Sequence, residues 1–498
     1  MHRRTLLRKL GALSLGVGLG AFLGERRISF GAEPSSRSPA VPEDLRVQNV
    51  LEIFLCGGVS QYESFYCVLD HGKEDRTHFH LYGDTPELAS AFEACGHSGD
   101  LTEPFAEDAV GQLVHFGPFA MPLRQRKDVM DRLRVSIVRH DLAPHEAAIP
   151  LALSGRTLGN PALCGLGAHI QRFFFERDGD AAGPLAYVLM SGSLGALPVD
   201  NLRAAVATGL HPATARPLSI TVDAAGDLGA LLERRGVGSM RAEHDALLDL
   251  YHAEYREKLR WQGSGEPLRA RPFSDFSAGT RWLANADAIR SVLDPATFLP
   301  APGTSCGASA TVDAVGMQLR LAVNLLNHPV RPARYVCVVD GGLVPVGNGG
   351  GGYDSHSDNT RIQARNLTHL LRTLLDLVKA PGEDAPEKLD LDRTLILLNS
   401  EFGRSPAAEG QNGRNHWPYG YPVVTLGGPV RSRGVTGAIG ADGVAVQSAT
   451  PQESRIAALL ALGIWPFGPE SFNVADVRGT VTEEQAAERV LRDQLGVT

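Results

Sequence analysis

Four polar segments hold the side chains able to do chemistry, and each follows a short apolar run. They are Cys56-Gly57-Gly58-Val59-Ser60-Gln61-Tyr62-Glu63, Arg139-His140-Asp141 through Arg156, Tyr353-Asp354-Ser355-His356-Ser357-Asp358-Asn359, and Ser400-Glu401-Phe402-Gly403-Arg404 with Gly413-Arg414-Asn415-His416-Trp417 close behind. Asp354 and His356 are two residues apart. In extended chain such side chains point the same way. A carboxylate beside an imidazole suits zinc or a similar divalent ion, and His416, just after Glu401, offers a third donor. The competing reading is a hydrogen-bonded loop in which Asp354 caps a helix starting near Asn359.

The elements that must position these segments are legible as apolar runs. Val50–Leu55, Val135–Arg139, Ala186–Met190, Tyr335–Val339, Thr394–Leu398 and Val423–Leu426 read as buried strands. Most are continuous rather than alternating, as in a parallel sheet covered on both faces. Helical spacing of Leu and Val marks Val312–Asn327 and Asn366–Val378. Strands alternating with helices predict a doubly wound, mostly parallel α/β sheet, whose ligands bind at the C-terminal strand ends. Residues 225–300 differ: charged and helical, they read as an insertion or cap.

The ends and the composition narrow the function class. Arg3-Arg4-Thr5-Leu6-Leu7 is a twin-arginine pattern, and an uncharged run from Leu10 to Gly24 follows. That run is shorter than the ~20 residues of a membrane span and fits a signal peptide over 1–32. Residues 33–45, rich in proline and serine, read as a disordered tether to one domain over 46–498. No later stretch reads as a membrane span. The expected location is therefore periplasmic or secreted. Residues 1–32 carry six basic residues and one acid, so their removal takes the net charge from −8 to −13. Such a chain is a poor partner for nucleic acid or anionic lipid. The six cysteines (Cys56, Cys67, Cys95, Cys164, Cys306, Cys337) show no CxxC spacing, and Cys56 and Cys337 sit in apolar runs as buried thiols would.

Taken together the polar motifs resemble the twin-arginine-exported family known as domain of unknown function 1501, of the alkaline phosphatase/sulfatase clan. The carrying residues are Gly57-Gly58-x-Ser60-Gln61, Gly351–Asn359, Ser400–Pro406 and Gly413–Trp417, within a similarity running from about 47 to about 480. The resemblance implies the clan's sheet with metals at the strand C-ends, and places Asp354, His356 and His416 in its first metal site. The clan's second site takes an Asp after the first strand, where this chain has Cys56-Gly57-Gly58, and an Asp-His pair where it has Glu401-Phe402. Glu401 could still ligate there, with Glu63 substituting from the first loop; Phe402 cannot. Arg404 is expected either to meet an anionic substrate or to form an ion pair with Glu401. The clan's nucleophile position, between Val135–Arg139 and the turn Ser154-Gly155-Arg156, holds Pro144-His145-Glu146. His145 is then a metal ligand, a general base or the nucleophile itself, or else a helix-terminal histidine bonded to Asp141.

Three signals are set aside. Gly303-Thr-Ser-Cys-Gly307 matches a nucleophile elbow but follows Pro300-Ala-Pro302, which excludes the required strand. The run Gly347–Gly352 lacks the Lys and Ser/Thr of a P-loop and instead lets the chain bend toward Asp354. His71, His78 and His80, irregularly spaced in polar context, read as surface histidines.

The expectation is an exported hydrolase of a small phosphate or sulfate ester, using one divalent metal, zinc by its donors, with an incomplete second site. The alternative is a non-catalytic binding or surface-assembly protein that keeps the fold and a partial metal site. Replacing Arg3 and Arg4 together by Lys should leave the precursor in the cytoplasm. Cell fractionation checks this, and a double variant that still reaches the exterior contradicts the signal reading.

Overall fold

The apolar runs become a single mixed sheet because their side chains find cover on both sides. The computed structural model describes residues 39–82, 85–97, 101–157, 165–178, 184–191, 218–221, 241–261, 303–305, 308–310, 313–343, 352–410, 412–468 and 471–497. The expected signal peptide, residues 33–38 of the tether, the glycines 347–351 and most of the expected insertion lie outside these residues. Among them, no helix is long and apolar enough to cross a membrane.

Among the described residues, eight strands form the sheet: β1 (Asn49–Leu55), β2 (Leu133–Val138), β3 (Tyr187–Ser191), β4 (Leu218–Thr221), β5 (Tyr335–Asp340), β6 (Thr394–Asn399), β7 (Tyr421–Gly427) and β8 (Gly434–Thr436). Their order is β8-β2-β7-β6-β1-β5-β3-β4. All run parallel except β7, which is antiparallel to both neighbours, β6 and β2. The reversal matters for function. β7 begins at the edge where its neighbours end, so the chain entering it, including His416, reaches the same edge as the loops leaving β1, β2, β5 and β6.

Side chains alternate between two apolar layers with the period of two that a strand imposes. Leu51, Ile53 and Leu55 of β1 pack with α1 (Pro86–Ala94), α5 (Ala314–Leu326) and α6 (Asn359–Leu377). Val50 and Phe54 pack with α2 (His145–Ser154), α3 (Leu166–Asp178), α7 (Pro451–Ala461) and α8 (Glu483–Val490). A further helix, α4 (Arg241–Trp261), is the described part of the expected insertion and exposes Leu247, Leu250 and Tyr251. α6 starts seven residues before its apolar pattern does. Its first two turns instead bury Asn359, Thr360, Gln363 and Asn366. Gln363 is the reason: Ser60 N–H donates to its Oε1 at 2.7 Å, and its Nε2 donates to Gly58 O, Tyr353 O and Ser355 Oγ.

A buried ion pair ties the second layer together. Arg455 of α7 donates through Nη1 to both oxygens of Glu52 on β1, at 2.5 and 2.6 Å. Asn399 Nδ2 donates to Glu52 at 2.9 Å and to Ala152 O of α2 at 3.0 Å. This polar strut holds α2, and so its N-terminal His145, against the sheet. Packing also extends into the expected tether, since Val41 is buried on this layer. Cys56, Cys67 and Cys337 are free and buried, while Cys95 is disulfide-bonded.

Two of the three histidines read as surface residues are in fact buried: His71 and His78, with His78 edge-on to Tyr62. The apolar Phe79 and Tyr82 draw the turn into the core and carry them along. Burial pushes His78 down to about 4, and burial with the charges of Arg172 and Arg156 pushes His169 of α3 down to about 3. Both are neutral in the folded chain near neutral pH, and the unfolded chain protonates first. Their contribution is therefore intact above the unfolded value of 6.5 and is lost as pH falls from there toward 4. The loss should reach up to roughly 3 kcal/mol per histidine. Urea midpoints taken between pH 7.5 and 4.5 should fall across this window, and a flat profile would contradict it.

Candidate metal centre

The site assembles at the C-terminal strand ends from four separate stretches. His145 is the first residue of α2, after β2, with Pro144 as its N-cap. Asp354 and His356 lie on the loop between β5 and α6. Glu401 follows β6 by two residues, and His416 lies in a two-residue strand paired with Gly403–Arg404.

Asp354 is the centre of the arrangement. His356 Nε2 lies 3.0 Å and His416 Nε2 3.1 Å from its Oδ1, and His145 Nε2 lies 3.4 Å from its Oδ2. The other ring nitrogen of each histidine meets an atom that can only accept. His145 Nδ1 donates to Glu401 Oε1 at 2.8 Å, His356 Nδ1 to Glu409 Oε2 at 3.0 Å, and His416 Nδ1 to Ala143 O at 3.0 Å. Each acceptor fixes Nδ1 as a donor, so Nε2 is the nitrogen that faces the centre and would give up its proton to an ion bound there. His356 Nε2 and His416 Nε2 are 2.9 Å apart. Two lone pairs that close require a proton or a cation between the rings. His145 Nε2 is buried without a hydrogen-bond partner.

These donors fit a transition metal. Ligand atoms of His145, Asp354 and His416 all lie within 4.8 Å of one another, the one such group among the described residues. Tetrahedral bonds of about 2.0–2.1 Å place ligand atoms about 3.3 Å apart. Nitrogen donors with one carboxylate oxygen suit zinc among the common ions.

Electrostatics keep the carboxylate ionised. Burial alone would raise Asp354. The three imidazoles of His145, His356 and His416 that face it and the charge of Arg404 outweigh burial and hold it below the usual carboxylate range. Burial likewise pulls His145 down, but the two carboxylates beside it, Asp354 and Glu401, prevail and push it up to about 9. His416 is lowered by burial.

Arg404 pairs with Asp354 rather than with Glu401. Fully buried, it donates through Nη2 to Asp354 Oδ1 at 2.6 Å and to Tyr353 O, through Nε to Gly58 O and through Nη1 to Arg414 O. A further contact reaches Gly57 O. It is a positioning residue, strapping the first loop to Asp354. Gly57 and Gly58 have φ of 118° and 98°, and a Cβ on Gly58 would lie 2.8 Å from Phe402. Only glycine lets that loop turn its carbonyls to Arg404.

Glu63 does not reach the centre. One of its oxygens accepts from Arg414 and the other from Ser60, in a fully buried pair. Glu401 stands behind His145 and also accepts from Gly57 N–H at 2.8 Å. Phe402 stacks on His416 at 4.4 Å and tilts against His145 at 4.9 Å, an apolar wall on that side of the centre. His145 faces Asp354 and Glu401, not Asp141. Asp354 is no helix cap, since Asp358 occupies that place. Glu409, which anchors His356, escaped the sequence reading because nothing in its spacing links it to residue 356.

Residues 332–463 match the family described as protein of unknown function DUF1501. The match takes in Asp354, His356, Glu401, Arg404 and His416, and leaves His145 outside. No curated protein matches the chain.

Because Arg404 compensates a buried carboxylate, Arg404→Met should cost about 3–5 kcal/mol in chemical denaturation. Arg404→Lys should rescue little, since a single ammonium cannot serve acceptors on so many sides. Full rescue by Lys would contradict the positioning role.

Proposed function

We propose that this protein is an exported, metal-dependent hydrolase of a small phosphate or sulfate ester. It works with one divalent ion, zinc by its donor set, held by His145, Asp354 and His416 with His356 alongside. One observation carries the reading: three imidazoles, each anchored through Nδ1, turn Nε2 toward a single buried carboxylate. Such outer anchoring is what metal-binding histidines require. The mixed α/β sheet with its site at the strand C-ends supports the alkaline phosphatase/sulfatase type of fold. The disulfide at Cys95 and the twin-arginine start support an oxidising compartment outside the cytoplasm.

What a divalent ion supplies there is polarisation of an ester oxygen and a water acidic enough to attack near neutral pH. The chain's own residues do the rest. Glu401 holds the His145 ring, Arg404 keeps Asp354 ionised and fixed, and Phe402 excludes water from behind His416 and His145. The first residue of α2 lies at the centre, so the positive end of the helix dipole favours anionic oxygen there. No Ser, Thr or Cys lies between Arg139 and Leu153, so attack falls to water rather than to a hydroxyl or thiol nucleophile.

One observation favours the second reading, a non-catalytic exported binding protein: Arg404, the cation nearest the centre, is engaged by Asp354 and unable to meet an anionic substrate. Two measurements separate the readings. Elemental analysis should find about one transition metal per chain in the wild type and a strong loss in His416→Ala. Aryl phosphate, phosphodiester and sulfate substrates should show chelator-sensitive turnover. Full metal loading without turnover favours the binding role; a wild type that takes up no metal removes the centre.

A further inference from the structure

The four donors around the centre are not held alike. Asp354 is 9% exposed and strapped by Arg404. The His145 side chain is 11% exposed, and its anchor Glu401 is fully buried. His416 is 18% exposed and anchored to a backbone carbonyl, that of Ala143. His356 is 33% exposed, and its anchor Glu409 is a side chain itself 43% exposed. A centre closed by four protein ligands is typically structural, whereas three ligands with a place left open is the catalytic pattern. Here three donors are fixed from inside the protein and one from the solvent side.

We infer that His356 is the exchangeable donor and Glu409 its latch: the ion is held by His145, Asp354 and His416, and His356 yields its place to an oxygen of the incoming anion. This rests on the metal reading above.

The backbone shows what would move. Glu409 and Gly413 exchange both backbone hydrogen bonds, at 2.8 and 3.0 Å. Gly413 lies so close to the main chain of His356 that a Cβ there would fall 1.8 Å from His356 O. Arg414 N–H donates to Ser355 O. The main chain on both sides is thereby fixed, and exchange is a rotation of the His356 ring away from the centre, with Glu409 letting go of Nδ1. The ring has room to do so on its exposed side, whereas His145 and His416 are boxed in by Phe402 and by one another.

The test uses the full mature chain loaded with cobalt(II), whose visible spectrum reports coordination, and titrates inorganic phosphate. His356→Ala should keep about one cobalt per chain and bind phosphate about tenfold more tightly than wild type, because the competing ring is gone. Glu409→Gln should keep the metal and show a smaller gain. His145→Ala should lose the metal. Loss of cobalt from His356→Ala overturns the inference, as does phosphate affinity unchanged from wild type in both His356→Ala and Glu409→Gln. A wild type that binds no cobalt fails earlier, at the centre itself, and is distinguishable from either.

Discussion

The arrangement depends on one buried charge being kept in place. Asp354 sits among three imidazoles, where burial opposes ionisation, and the Arg404 guanidinium offsets that cost at 2.6 Å. The same guanidinium collects carbonyls from Gly58, Tyr353 and Arg414. The interaction that fixes the charge therefore also fixes the loops that carry it. An ammonium could hold the charge but not the geometry. Behind this lies a second, similar unit, Arg455 with Glu52, which sets the height of α2 on the sheet and with it the position of His145.

Topology brings the parts to one edge. Parallel strands deliver loops to their C-terminal ends, which supplies His145, Asp354 and Glu401. His416 arrives by the opposite route, at the start of the reversed strand β7. A sheet parallel throughout would have put that residue at the far edge. The two-residue pairing of Gly403–Arg404 with His416–Trp417 then sets the distance between Arg404, the charge holder, and His416, the donor.

Three residues beside the centre fit one another. Phe402 stacks on His416 and needs the space that Gly58 leaves open, while Glu401 accepts from both His145 and Gly57. The outcome is one compact cluster of donors walled on one side by an aromatic ring.

Read alone, the sequence determined six of the eight strands of the sheet, because continuous apolar runs fit few environments other than a doubly covered sheet; the short edge strands Leu218–Thr221 and Gly434–Thr436 carry too few apolar residues in a row to be read this way. It also determined the pairing of Asp354 with His356, since two residues of loop leave little freedom, and the candidacy of His416 and His145. It could not determine what lies on the other side of a contact. Glu63 and Glu401 look alike as loop carboxylates, yet one is neutralised by Arg414 and the other anchors His145. Arg404 reads as a contact for an anionic substrate or a partner of Glu401, and is fully buried against Asp354. α6 begins among polar residues whose partners come from loops some three hundred residues away, so no local period marks its start. Local chemistry is written in residue type and spacing, but which charge meets which, and which histidine is held loosely, are set by long-range packing, and only the tertiary structure decided them.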